Sequence, residues 1–282
     1  MSPKISVIIP FHNGAKTLQR AVESVRNQSF EDWELILIND GSTDQSATIA
    51  KEYLSDARIR YLCQENQGVS AARNHGASEA SAEWLIFLDA DDVFMPNALE
   101  LISNFTSDPN LSLIRGGFVR ESHNSIKSTI PDGKSYISPL VGSFCVKKSV
   151  FQKIDGYDER MKFSENTELF HRLVSENLTV GYIPEPLFIY RETHNKGSKN
   201  LKNSIDSIEF FLTKHESTLS SHNKYTFSKV LGVNYLRYRN FKNSRKNFLI
   251  SFRKKPWKFG VLIRYSIALF PKFARKLYKS DL

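Results

Sequence analysis

Four short apolar runs, over residues 5–10, 34–38, 59–62 and 84–88, alternate along this chain with stretches of helical spacing. The first such stretch, 15–28, places Leu18, Ala21, Val22 and Val25 at three- and four-residue intervals, which gives a helix one apolar face. The others are 43–54 and the alanine-rich 69–80. Strands joined in this order through helices run the same way, so the pattern predicts an α/β fold with a mostly parallel sheet and helices on both faces. In such sheets ligands bind beyond the carboxyl ends of the strands. Those ends read His12-Asn13-Gly14, Asn39-Asp40-Gly41 and Asp89-Ala90-Asp91-Asp92, and all three are expected to line one crevice.

The third end carries the strongest chemistry. The apolar strand 84–88 runs straight into three carboxylates, which repel one another and lose hydration unless a cation neutralises them. Oxygen-only ligands favour a hard divalent ion such as Mg2+ or Mn2+, which keeps open positions for phosphate oxygens. Taken alone, the tetrad also reads as an acid-rich turn capping a helix that starts near Pro96.

Composition narrows the class. The 282 residues can hold one large α/β domain and an appendage. Residues 1–200 carry 21 Lys/Arg against 26 Asp/Glu, a net of −5; residues 201–282 carry 18 against 4, a net of +14. Cys63 and Cys145 match no metal-binding spacing and read as reduced core thiols of a cytoplasmic protein. No N-terminal targeting signal is visible, and the apolar stretch 259–270 is broken by Arg264 and is too short to span a bilayer. After residue 105, strands are expected near 111–119, 143–146 and 187–191, with a helix at 165–176. Beyond 201 the pattern is helical, at 203–220, 223–238, 242–253 and 256–279. The expected division is a catalytic domain at 1–200 and a basic helical extension at 201–282.

The motifs resemble those of glycosyltransferase family 2. They are Val7-Ile8-Ile9-Pro10-Phe11-His12-Asn13, then Leu37-Ile38-Asn39-Asp40-Gly41-Ser42-Thr43-Asp44, then Asn66-Gln67-Gly68-Val69-Ser70-Ala71-Ala72-Arg73-Asn74-His75-Gly76, and the Asp tetrad. The resemblance covers about residues 4–195. It implies a GT-A (Rossmann-like, nucleotide-binding) fold and an inverting transferase that uses a nucleotide-activated sugar, mostly UDP-linked. It says little about the acceptor.

Carried over residue by residue, the resemblance gives donor-binding roles to Pro10, His12, Asp40, Arg73, Asp89 and Arg191. Pro10 fixes the strand exit, and His12 stands where relatives stack an aromatic on the base. Asp40 would accept a hydrogen bond from uracil, although a turn or cap residue ahead of Thr43 is the plainer role. Arg73 reaches uracil or diphosphate with its planar fork. Asp91 is the direct metal ligand, Asp89 meets ribose or a metal-bound water, and Asp92 assists the metal or caps a helix. Arg191, in Tyr190-Arg191-Glu192-Thr193-His194, packs over the diphosphate, with His194 a second metal contact.

An inverting transfer also needs a base for the acceptor hydroxyl. After Gly156-Tyr157-Asp158-Glu159 the family places an Asp where this chain has Asn166, and an amide cannot accept that proton. Glu165 and Glu168 remain as alternatives, and a catalytically silent nucleotide-sugar-binding or scaffold protein is the rival reading. The basic tail reads either as a packed helical unit with a solvated basic face, or as attachment to an anionic membrane through Trp257, Phe259 and Tyr265. No nucleic-acid motif accompanies the charge. The expected activity is metal-dependent transfer of a sugar to a glycan or lipid-linked saccharide in bacterial cell-surface polysaccharide synthesis. The expected location is the cytoplasm or the inner face of the plasma membrane.

Overall fold

The computed structural model describes residues 2–122, 125–131, 140–191 and 200–278. The expectation for His194 lies outside the described residues. Strands β1 (Ile5–Phe11), β2 (Trp33–Asp40), β3 (Ile59–Gln64) and β4 (Trp84–Phe87) pair in parallel in the order β3-β2-β1-β4. Successive side chains of a strand point to opposite faces, and here both faces are buried. Val7, Ile9, Leu35 and Leu37 pack with Leu18, Val22 and Val25 of helix α1 (Leu18–Arg26). Ile8, Ile36 and Ile38 pack on the other side with Ala72 and Ala77 of helix α3 (Val69–Glu79). Helix α3 lies flush on the sheet: a Cβ on Gly76 would sit 2.5 Å from Ile8 Cγ2. Helix α2 (Ser46–Lys51) follows β2.

Beyond β4 the sheet continues in mixed direction. Strand β8 (Phe144–Lys147) runs antiparallel to β4 and to β6 (Leu113–Ser122). Strand β9 (Val180–Arg191) pairs in parallel with β6, and the two-residue β5 (Val93–Phe94) closes the order β8-β6-β9-β5. Strand β7 (Ser125–Thr129) forms a hairpin with β6. Helices α4 (Ala98–Thr106), α5 (Lys148–Lys153) and α6 (Glu165–Ser175) complete this part.

Contacts divide the chain into two units, Met1–Glu159 with Glu165–Thr193, and Arg160–Ser164 with His194–Leu282. The second unit holds α7 (Leu201–Lys214), α8 (Ser221–Arg237), α9 (Phe241–Lys254), α10 (Gly260–Leu269) and α11 (Pro271–Leu277). Asn200, Ser220 and Asn240 cap the first three, each accepting the backbone N–H three residues on. The expected helix at 256–279 is two helices, because Pro271 has no N–H to continue the ladder and instead opens α11. Tyr265, expected at a membrane surface, packs against the cluster of Leu236, Phe248, Val261 and Ala268. Cys145 is buried as expected, but Cys63 lies on the exposed face of the edge strand β3. No described helix is long and apolar enough to cross a membrane.

Candidate active site

The loops after β1 and β2 clasp each other through short polar side chains. Asn13, in the left-handed conformation at φ 51°, accepts the N–H groups of Thr43 (2.8 Å) and Asp44 (3.2 Å) on Oδ1. Its own N–H donates to Ser42 Oγ at 3.0 Å, and Gly14 N–H donates to Ser46 Oγ at 2.8 Å. Asn39 Oδ1 accepts Ser42 N–H at 2.8 Å, which tightens the turn at Gly41. Gly41 sits at φ +69°, and a Cβ there would lie 2.8 Å from the backbone nitrogen of Asn66. Only glycine meets both conditions.

Asp40 does not cap the turn ahead of Thr43. Its carboxylate accepts Gln64 Nε2–H and the N–H groups of Gln67 and Gly68, each at 2.9 Å. The N-terminus of α3 is thereby held by a buried carboxylate, an arrangement that the helix dipole favours. The turn ahead of Thr43 is secured instead by Asp44, which accepts Ala15 N–H at 3.1 Å and Ser46 N–H at 2.9 Å. His12 is exposed above this junction. Its Nδ1 lies 2.8 Å from the Asp40 carbonyl oxygen, and Nε2 lies 3.2 Å from Asn13 Nδ2. Asn66 Nδ2 lies 2.9 Å from the same Nδ1, so neighbours from three segments fix the ring.

At the end of β4, Asp89, Asp91 and Asp92 bring one carboxylate oxygen each to within 4.8 Å of one another. Asp92 is buried and accepts the backbone N–H of Arg191 at 3.0 Å, tying the end of β9 to the cluster. This bond is the described role of Asp92; the nearby helix α4 begins later, after Asn97. Arg73 of α3, only 1% exposed, joins the cluster to the opposite wall. Its Nη2 donates to Asp89 Oδ1 at 2.7 Å and its Nη1 to Glu165 Oε1 at 3.0 Å. Burial opposes the guanidinium charge, but attraction to Asp89, Tyr157 and Glu165 outweighs it and raises the pKa. The guanidinium lies 5.0 Å from the centre of the Tyr157 ring, and its buried Nε has no partner among the described residues.

Glu165 and Glu168, indistinguishable by sequence, occupy different surroundings. Glu165 opens α6 beside Arg73, and its described bonds, from Arg73 and Asn166, both fall on Oε1. Glu168 is fully buried and gripped by Arg172 in a forked ion pair, with Nε–Oε1 at 2.9 Å and Nη2–Oε2 at 2.6 Å. Arg172 also donates to the carbonyls of Ile154 and Gly156. Asn166 Oδ1 accepts the Tyr157 hydroxyl at 2.9 Å. Burial pushes the Tyr157 phenol well up, so this hydroxyl stays a donor.

Asn74 was not singled out by its sequence, yet it braces the site. It accepts Tyr157 N–H at 2.8 Å and donates to the Tyr157 carbonyl at 2.9 Å. Its place in the Arg73-Asn74 pair, with Gly156-Tyr157 conspicuous downstream, was the available signal. Gly156 at φ +59° lets this contact form, since a Cβ would stand 2.6 Å from Asn74 Oδ1. Arg191 donates from Nε to Glu121 at 2.7 Å and lines a cavity of about 380 Å³ with Arg20, Glu23 and Phe94, which none of the three aspartates lines. Pro10 is buried near the end of β1, which is buried through Phe11.

A sequence model of the family described as Glycosyl transferase family 2 matches residues 6–171, more than half of the chain. The chain is a family 2 glycosyltransferase. The glycosyltransferase GlyG of Streptococcus pneumoniae is 33% identical over 235 residues, covering 82% of this chain and 73% of GlyG. The minor teichoic acid biosynthesis protein GgaA of Bacillus subtilis is 28% identical over 276 residues, covering 86% of this chain and 62% of GgaA. An uncharacterized glycosyltransferase of Rickettsia bellii is 38% identical over 151 residues, which is 54% of this chain but 20% of that protein. The chain thus spans a fifth to three-quarters of the length of these relatives. TarS 1–349 of S. aureus, solved in complex with UDP-GlcNAc, has a TM-score of 0.66 at 16% identity, over 98% of this glycosyltransferase and 84% of that 1–349 chain. That likeness is one of fold, GT-A.

Proposed function

We propose that this glycosyltransferase moves a sugar, with inversion, from a nucleoside diphosphate donor of the UDP class to a hydroxyl of a glycan or lipid-linked saccharide. The setting is bacterial cell-surface polysaccharide synthesis on the cytoplasmic side. The UDP-GlcNAc bound by TarS and the teichoic acid role named for GgaA support the donor and acceptor classes. The observation that carries the reading is the pair of hydrogen bonds donated by Arg73, which draws Glu165 and Asp89 to one guanidinium.

The three aspartates offer only carboxylate oxygens, close together at a strand end, and these fit a hard divalent ion, Mn2+ or Mg2+. Asp91 and Asp89 are its proposed holders, and such an ion supplies charge neutralisation for the departing diphosphate. The chain's own residues do the rest. Pro10, His12 and Asp40 frame the nucleoside side, Arg191 presents its guanidinium to the donor's anionic edge, and the buried Arg73 serves the donor by holding Asp89 and Glu165 in place. As the acceptor oxygen attacks the anomeric carbon and the bond to the diphosphate breaks, its proton passes to Glu165, on the Oε2 side that its described bonds leave open. Glu168, sealed by Arg172, is a positioning residue for α6, and Asn166 orients Tyr157.

UDP release from UDP-sugars, measured with Mn2+ and a panel of acceptors, tests this. Glu165→Gln is expected to lower transfer by about a thousandfold, within the range that general-base loss produces, and to leave UDP affinity unchanged. Full activity in that variant moves the base elsewhere. Asp91→Ala is expected to make UDP affinity insensitive to Mn2+. Donor binding without turnover on every acceptor would favour the silent nucleotide-sugar-binding reading.

A further inference from the structure

Helices α10 and α11 are built the opposite way round from helices meant for water. Their inward positions are small or modest, Val261, Ala268 and Ala274, all buried. Tyr265 and Ile267 pack inward beside them, but the other large apolar side chains of these helices and of the preceding turn are exposed: Trp257 64%, Phe259 68%, Ile263 64% and Phe270 64%, with Phe273 and Leu277 more than half exposed. Seven of the thirteen large apolar side chains left exposed among the described residues fall between Trp257 and Leu277. A random scatter would put about one there, so this is a patch and calls for an occupant.

Charge identifies the occupant. Residues 241–280 hold twelve Lys/Arg and no Asp or Glu. One of these cations has a structural duty: Arg245 donates to the carbonyl of Ala268, as Arg239 just before the stretch does to that of Tyr278, which pins α10 and α11 to the bundle. Six others, Arg253, Lys254, Lys258, Lys272, Arg275 and Lys276, are exposed on the same stretch. Large apolar groups and tryptophan interleaved with unopposed cations match an anionic lipid interface, where aromatic rings sit at headgroup depth and lysines meet phosphate. The ten residues of α10 span about 15 Å, half of a hydrocarbon core, too short to cross a bilayer.

We infer that the outward face of α10–α11, entered through Trp257 and Phe259, is a docking surface for anionic membrane. It goes beyond the transfer reaction and does not depend on the identity of donor or acceptor.

Trp257 supplies the probe, because the other two tryptophans, Trp33 and Trp84, are buried. The whole protein is mixed with vesicles of phosphatidylcholine alone and with vesicles containing roughly a quarter phosphatidylglycerol. Expected are co-sedimentation with the anionic vesicles only, weakening with salt, and a blue shift of Trp257 emission quenched by brominated lipid. W257S/F259S/I263S is expected to cut the bound fraction roughly tenfold, and K254Q/K258Q/K272Q/K276Q to remove the preference for anionic lipid. Both sets lie on the surface, and unchanged UDP binding in the same samples separates this result from any failure of the catalytic reading. No anionic binding, or binding with Trp257 emission unmoved, overturns the proposal. So does a lipid-free blue shift that grows with protein concentration, which would assign the patch to a second copy. Equal retention on RNA with emission unmoved would reassign the charge and also overturn it.

Discussion

At the scale of single residues, the site depends on carboxylates whose surroundings differ more than their sequence neighbourhoods suggest. Glu34 is an instructive case away from the chemistry. Its Oε1 accepts Ser6 Oγ–H and Ser81 N–H, both at 2.6 Å, and Ser81 Oγ–H at 2.8 Å. Burial raises its pKa, but these donors and Ala82 N–H outweigh it and hold the group below its ordinary 4.5. A lowered folded pKa means stability that is present above pH 4.5 and lost as pH falls through the folded value. Urea midpoints between pH 7 and about pH 3 are therefore expected to drop for the native chain on the acid side. Glu34→Gln should flatten that limb. The sequence marked Glu34 only as the start of a strand; the serines that donate to it come from a strand 28 residues earlier and a turn 47 residues later. Asp40 was legible as a functional candidate because it follows a buried strand and precedes Gly41. Its partners Gln67 and Gly68 were not, since a cap supplied from another element leaves no local pattern.

Among elements, α6 shows how one helix separates two acids. Glu165 sits in the first turn facing Arg73, and Glu168, three residues on, is sealed against Arg172. Removing one member of a buried pair strands the other, at a cost of about 3–5 kcal/mol. Glu168→Gln and Arg172→Met should each lower unfolding stability by roughly that amount in denaturant titrations, whereas Glu165→Gln should cost less, because the buried Arg73 keeps its bond to Asp89. A Glu168→Gln variant with native stability would remove the distinction drawn between the two. The parallel strands β1 to β4 could be read from sequence because each is a continuous apolar run between helices of clear period. The first half of β9 could not, because Gly181, Pro184 and Pro186 break the strand pattern, and its pairing with β6 shifts register on either side of Gly117. Strand β5 has two residues and α5 has six, too few for any period to emerge.

For the molecule as a whole, the two thiols report different things. Cys63 is exposed on an edge strand, whereas Cys145 is buried in β8, where burial raises its pKa far above the ordinary range. A thiolate-specific reagent at pH 8 is expected to titrate one thiol rapidly in the native protein and the second only on unfolding of the sheet. Two fast thiols would mean that β8 opens readily. The same contrast explains what charge counting revealed and what it hid. The change from net −5 to net +14 near residue 200 marked a change of character along the chain. It did not reveal that Arg160–Ser164 group with the helical unit, because five residues leave no compositional trace.

One feature of α3 has a kinetic corollary. The turn leading into it is held by Asp40 at Gln67 and Gly68, its middle presents Arg73 to Asp89 and Glu165, Asn74 braces the Gly156 turn, and Gly76 seats it on Ile8 and Ile38. Every wall of the site therefore reports to one eleven-residue helix. In hydrogen-exchange experiments, a single opening of α3 would dismantle nucleotide pocket, acidic cluster and base together. Its amides should share one opening free energy and gain protection as a block when donor binds.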